Sequence, residues 1–161
     1  MHKKVLNLKL ILAFLVAAGL ITQTKAQAQQ VASQLFQNVT IDSNFSPALT
    51  LRGISGGSVS AEEVAGTKET VNGSCIGFVD AEPDHTLVLK NFFDYLKIQV
   101  QSPQDTTIIV RGPGGTWCND DAEGKNPGIG GEWLAGSYKI WVGSFERGNY
   151  YPYILRITQE R

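Results

Sequence analysis

Leu96, Ile98 and Val100 alternate strictly with Lys97, Gln99 and Gln101, the two-residue period of a strand with one face buried and the other wet. His85, Leu87 and Leu89 alternate in the same way with Thr86, Val88 and Lys90. Tyr138, Ile140 and Val142 share one face of a later run, and Tyr153, Leu155 and Ile157 share one face of the last. Thr106 to Val110 is β-branched throughout, which predicts a central strand covered on both sides. Weaker strand candidates are Ala48 to Ile54, ended by Gly56-Gly57, and Val71 to Val79, which holds Cys75, Ile76, Phe78 and Val79 between turn residues. Ser102-Pro103, Gly112-Pro113-Gly114-Gly115, Asn126-Pro127-Gly128 and Gly148-Asn149 separate these runs at close intervals, as tight turns do. Ser60 to Ala65 is the one helical candidate, too short to shape the fold. The pattern predicts an all-β chain folded as an antiparallel, jelly-roll-like β-sandwich.

The N-terminus follows a different rule. His2, Lys3 and Lys4 precede an apolar stretch from Leu10 to Ile21, and Ala26-Gln27-Ala28 supplies a small-x-small cleavage pattern. Residues 1–28 therefore read as a secretory signal peptide. The apolar run is well short of the roughly 20 residues that span a bilayer, so no membrane attachment is expected after cleavage. Residues 29–47 form a polar leader with room for one edge strand, and 48–161 form the sandwich domain. The protein is expected in the periplasm or outside the cell.

Charge narrows the partners. Lys3, Lys4, Lys9 and Lys25 fall in the signal and no acid does, so of 14 basic and 15 acidic residues the mature chain keeps ten and fifteen, a net charge near −5. No basic patch stands out along the chain, which argues against nucleic acid and anionic membrane. An extracytoplasmic protein or a polysaccharide remains. Cys75 and Cys118 are the only cysteines. In an exported chain they predict a disulfide, worth about 4 kcal/mol by loop closure; two buried thiols or a catalytic cysteine are the rival readings.

Three constellations carry candidate chemistry. Gly53-Ile54-Ser55-Gly56-Gly57 matches G-x-S-x-G, with Asp80, Asp84 and His85 downstream in hydrolase order. The nucleophile elbow needs a strand-turn-helix setting that the chain does not offer, so a serine hydrolase is the least favoured reading and Ser55 a turn residue. His85 is the lone histidine after the signal and reads as structural. Asn119, Asp120 and Asp121, with Asp105 on a neighbouring strand, present the oxygen donors a hard cation wants; the rival reading is that these side chains bond their own turn. Trp117, Trp133, Trp141 and Tyr150 are either core fillers with a polar handle or a platform for sugar rings. Trp141, opposite Ile140 and Val142 in its strand, is expected on the solvent side.

Asp105-Thr106-Thr107, Asn119-Asp120-Asp121, the Gly136-Ser137-Tyr138 to Val142-Gly143 run and Tyr153 to Ile157 occur in the order found in the bacterial pre-peptidase C-terminal domain, which this chain resembles from about Leu49 onward. The resemblance implies a secreted β-sandwich, a non-catalytic accessory role, and calcium as a cofactor, since some members bind it. The cysteine pair and the lack of an attached catalytic domain depart from the family. The combined expectation is an exported, non-catalytic binding module, with a carbohydrate-binding module as the alternative.

Overall fold

The computed structural model describes residues 35–45 and 48–160; the predicted signal peptide and the start of the polar leader lie outside the described residues. In chain order the elements are β1 (Val39–Ile41), β2 (Leu49–Ile54), β3 (Val59–Ser60), a short helix α1 (Ala61–Ala65), β4 (Glu69–Thr70), β5 (Gly73–Ser74), β6 (Phe78–Val79), β7 (His85–Leu89), β8 (Phe93–Gln101), β9 (Thr106–Gly112), β10 (Gly115–Asn119), β11 (Gly128–Trp133), β12 (Gly136–Ser144) and β13 (Pro152–Thr158). The chain is a β-sandwich.

The larger sheet is built around β12. β9 lies along one side of it and β10 along the outer side of β9. On the other side β7 and then β6 share its length, β7 continuing to β1 and β6 to β3. The β1–β7 pairing is parallel, and the other pairings are antiparallel. The smaller sheet runs β11-β8-β13-β2. Alternation decides what lies between the two sheets. Leu96, Ile98 and Val100 from β8 and Leu155 and Ile157 from β13 meet Leu87, Ile108, Val110, Ile140 and Val142. Each is fully buried, and each such side chain stabilises the fold by about 1.5–3 kcal/mol against exposure.

A second, smaller core covers part of the larger sheet's outer face. Ile109, Cys118 and Trp141 point away from the sandwich interior and are buried by Ala61 and Ala65 of α1, by Val79 and by Cys75. Cys75 and Cys118 are joined in a disulfide. The all-buried run Thr106 to Val110 thus has a cover on each side. Two expectations change here. α1 is short, but it closes this layer. Trp141 is 3% exposed, because the β4–β5 region and α1 lie over the face on which open solvent was expected. The predicted Val71 to Val79 strand is broken into β5 and β6, with Val71 at the tip of the β4–β5 hairpin, 94% exposed.

Candidate functional site

Ser55, Asp84 and His85 lie at one end of the sandwich, and all three are buried. Ser55 Oγ shares a hydrogen bond with Ser144 Oγ at 2.8 Å and accepts one from the Tyr151 amide at 3.3 Å. His85 Nδ1 is 2.8 Å from the Gln37 carbonyl oxygen, and Nε2 is 2.8 Å from Tyr153 Oη. A carbonyl only accepts, so Nδ1 carries the proton and Nε2 accepts from the tyrosine. Burial lowers the His85 pKa, favouring that neutral form. Asp84 Oδ2 accepts the Val142 amide at 2.7 Å, and burial, with Asp80 nearby, pushes its pKa up to about 7. Both imidazole nitrogens are therefore spent on partners other than Ser55, and the serine-base pairing a nucleophile requires is not formed. The glycines of G-x-S-x-G serve packing: a Cβ on Gly53 would enter the Tyr153 ring, and Gly57, at φ +151°, has the Val79 backbone against it.

The acidic loop connects β10 to β11. Asn119 is a strut within it, its Oδ1 accepting from the Gly128 amide at 2.9 Å and its Nδ2 donating to the Asn72 carbonyl at 2.8 Å. Asp120 has a raised pKa, first from partial burial and then from the charges of Asp121 and Asp105; the three carboxylates are electrostatic neighbours. Lys125 Nζ lies 4.0 Å from Asp105, a contact too long and exposed to offset them. Beneath the loop, Gln99 Oε1 lies against Gly128 and Ala122, and Thr106, whose amide bonds the Lys125 carbonyl, places its Oγ1 in the interior. Both oxygens are buried without a hydrogen-bond partner. Among the described residues, no three His, Cys, Asp or Glu side chains converge closely enough to form a metal-binding group.

The aromatic candidates separate. Trp133 is buried, with its Nε1 donating to the Leu96 carbonyl at 2.8 Å, and Trp141 is buried beneath the second core. Tyr150 is exposed but lies by Gly56, at the end with Ser55. Trp117 is half-buried; its ring stacks at a tilt on Trp133 (5.9 Å between centroids, 38°) and near Tyr138 (6.2 Å). No two of these rings make a coplanar surface pair. What Trp117 does form is one wall of a cleft of about 260 Å³, lined also by Val71, Asn72, Ile129, Gly130, Gly131 and Glu132. The cleft lies between β10 and β11, the edge strands of the two sheets. Sequence reasoning found Trp117 and Trp133, which also lines the cleft, and missed the rest; Gly128-Ile129-Gly130-Gly131 was the available signal, since a strand with so few side chains leaves open backbone.

No protein-family profile matches the chain. It is 28% identical over 116 residues to an uncharacterized protein of Synechococcus elongatus, covering 70% of this chain and 76% of that protein. Among solved structures it is similar to the pre-peptidase C-terminal domain of a collagenase from Bacillus anthracis, at 13% identity and a TM-score of 0.46 over 75% of this chain and 94% of that one.

Proposed function

We propose that this protein is an exported, non-catalytic binding module that takes a sugar ring in the cleft between β10 and β11. The cleft carries the reading. Trp117 offers an indole face for the apolar side of a pyranose, and Asn72 and Glu132 offer an amide and a carboxylate for its hydroxyls. Gly131, with nothing within 4 Å of where a Cβ would stand, lets the ligand approach backbone. This is the usual division of a small-ligand site into apolar walls and a few polar groups. At about 260 Å³ the space is below the common range for drug-sized ligands and suits a single ring. A screen of neutral oligosaccharides by chemical-shift perturbation tests it. The expected outcome is shifts confined to Trp117, Val71 and Gly130, abolished in Trp117→Ala. Shifts elsewhere, or none across the screen, would overturn it.

A second reading is favoured by the crowding of carboxylates in the acidic loop, where Asp121 and Asp105 help raise the Asp120 pKa. Asp105, Asp120 and Asp121 are hard-oxygen donors of the kind calcium takes. Asn119 leaves that set, because its amide already braces the loop. Calcium would supply charge compensation and order there, not chemistry. Extracellular modules bind calcium with constants of roughly 0.1 to 1 mM, so about 10 mM calcium should add on the order of 1.4–2.7 kcal/mol, a rise of roughly 5–10 °C in Tm. The rise should vanish in the Asp120→Ala, Asp121→Ala variant. An unchanged Tm in the parent protein would leave the loop as a turn.

A further inference from the structure

We propose that the uncovered half of the larger sheet's outer face binds an acidic polysaccharide, gripped by Lys139 and Arg111. The strand register brings the two together: Lys139 of β12 is directly opposite Arg111 of β9. Thr86 stands opposite Lys139 on its other side, and Thr116 opposite Arg111. Thr86, Lys139, Arg111 and Thr116 thus form one row across four strands, roughly 14 Å long at the usual strand spacing. Like charges placed directly opposite destabilise a sheet. Both side chains are exposed, and among the described residues none of the ion pairs involves either.

The neighbouring row sharpens the chemistry. The Arg111 guanidinium lies over the Trp141 ring, 5.6 Å from its centroid, which holds the cation in place. Trp141 Nε1 is itself buried without an acceptor. Two cations flanked by the hydroxyls of Thr86 and Thr116 have an anion as their complement. The chain's own carboxylates include Glu62 and Glu63 on α1 and Asp80, Glu82, Asp120, Asp121 and Glu146 on loops, and would repel a densely charged duplex. The face also lacks the apolar side chains of a membrane-binding surface, Val88 excepted. A linear uronate polymer fits: spaced carboxylates for the cationic pair, ring hydroxyls for Thr86 and Thr116. This surface is distinct from the Trp117 cleft, because Thr116 and Trp117 point to opposite sides of β10.

Affinity electrophoresis of the purified protein through gels containing polygalacturonate, with neutral dextran as control, tests the proposal. Retardation by polygalacturonate alone is expected. It should weaken by about tenfold or more in the Arg111→Gln, Lys139→Gln variant, the loss of roughly one charge-assisted contact. Lys139→Gln alone, which leaves Arg111 on Trp141, should lose part of it. The Arg52→Gln, Arg156→Gln variant removes the same charge from the smaller sheet's outer face and should bind as the parent does. Absence of retardation, or equal loss in both double variants, overturns the site. So does binding to phosphatidylglycerol vesicles through the same pair without binding to the polymer. The Trp117→Ala variant should retain polygalacturonate binding, so failure here and failure of the sugar cleft are separable.

Discussion

Thr70 Oγ1 stands where the next strand would be for Cys118: it accepts the Cys118 amide at 3.0 Å and lies 3.3 Å from the same residue's carbonyl oxygen. β10 is an edge strand, and a bare edge invites pairing with another chain. Here a single hydroxyl takes the Cys118 amide beside the disulfide, and its one proton is shared between the Cys118 carbonyl and the Gly73 carbonyl at 3.1 Å. Asp84 plays a comparable part at Val142, where β7 has ended and β6 has not begun: its carboxylate takes the amide, and the Gly56 amide takes the carbonyl at 3.1 Å.

Thr70→Val keeps the shape and removes both bonds to Cys118. The Cys118 amide and carbonyl are then left buried without partners, and urea unfolding should show a loss of about 1–3 kcal/mol. Thr70→Ser should restore most of it. Equal stability of the valine and serine variants would show that the hydroxyl contributes nothing.

The disulfide closes a span of 43 residues and ties the hairpin layer to the larger sheet. Cys75→Ala with Cys118→Ala should lower stability by about 4 kcal/mol on the loop-closure estimate. Because Trp141 is buried under that layer, its fluorescence should shift to the red in the variant if the layer loosens. A parent protein whose melting is indifferent to reductant would contradict the assignment.

Asp84 makes stability depend on pH in an unusual direction. Its pKa is about 7 in the fold against 3.8 for an ordinary aspartate. A raised acid favours the fold while it is protonated: the contribution is whole below about pH 4 and disappears as pH rises through about 7. The amount at stake is about 4 kcal/mol. Asp84→Asn cannot ionise, so the variant minus parent difference in stability should grow in the variant's favour from pH 4 to pH 8. His85, whose pKa is lowered, has the opposite sign: its contribution is present above pH 6.5 and lost as pH falls, and it is common to both proteins. A flat difference would mean that Asp84 is not desolvated as described.

Ser55→Ala separates structure from catalysis at the G-x-S-x-G turn. It leaves Ser144 Oγ and the Tyr151 amide short of a partner, and should cost about 1–3 kcal/mol in denaturant unfolding. Esterase activity against short-chain nitrophenyl esters should be at background in both proteins. Turnover by the parent that Ser55→Ala removes would reverse the reading.

Most of the sandwich was legible in period-two patterning: β8, β9, β12 and β13 are runs whose buried positions alternate or whose β-branched residues are continuous. Alternation names the face a residue takes but not what covers it, which is why Trp141 was expected in solvent. It is also silent where strands are two residues long, as in β3 to β6, since a period needs repeats to show. The Trp117 cleft was half visible, because the tryptophan is conspicuous and its glycine floor is not. Lys139 and Arg111 could not be read at all: 28 positions apart in sequence, they meet only through strand register.

β13 is an inner strand of the smaller sheet, held between β8 and β2, and its partner β2 begins about a hundred residues earlier in the chain. Such distant pairings make the search for the native arrangement slow. During synthesis the smaller sheet has no β13 to join β2 to β8 until residue 158 has left the ribosome. Until then β2 and β8 each present an open edge, and an open edge is free to pair with another chain.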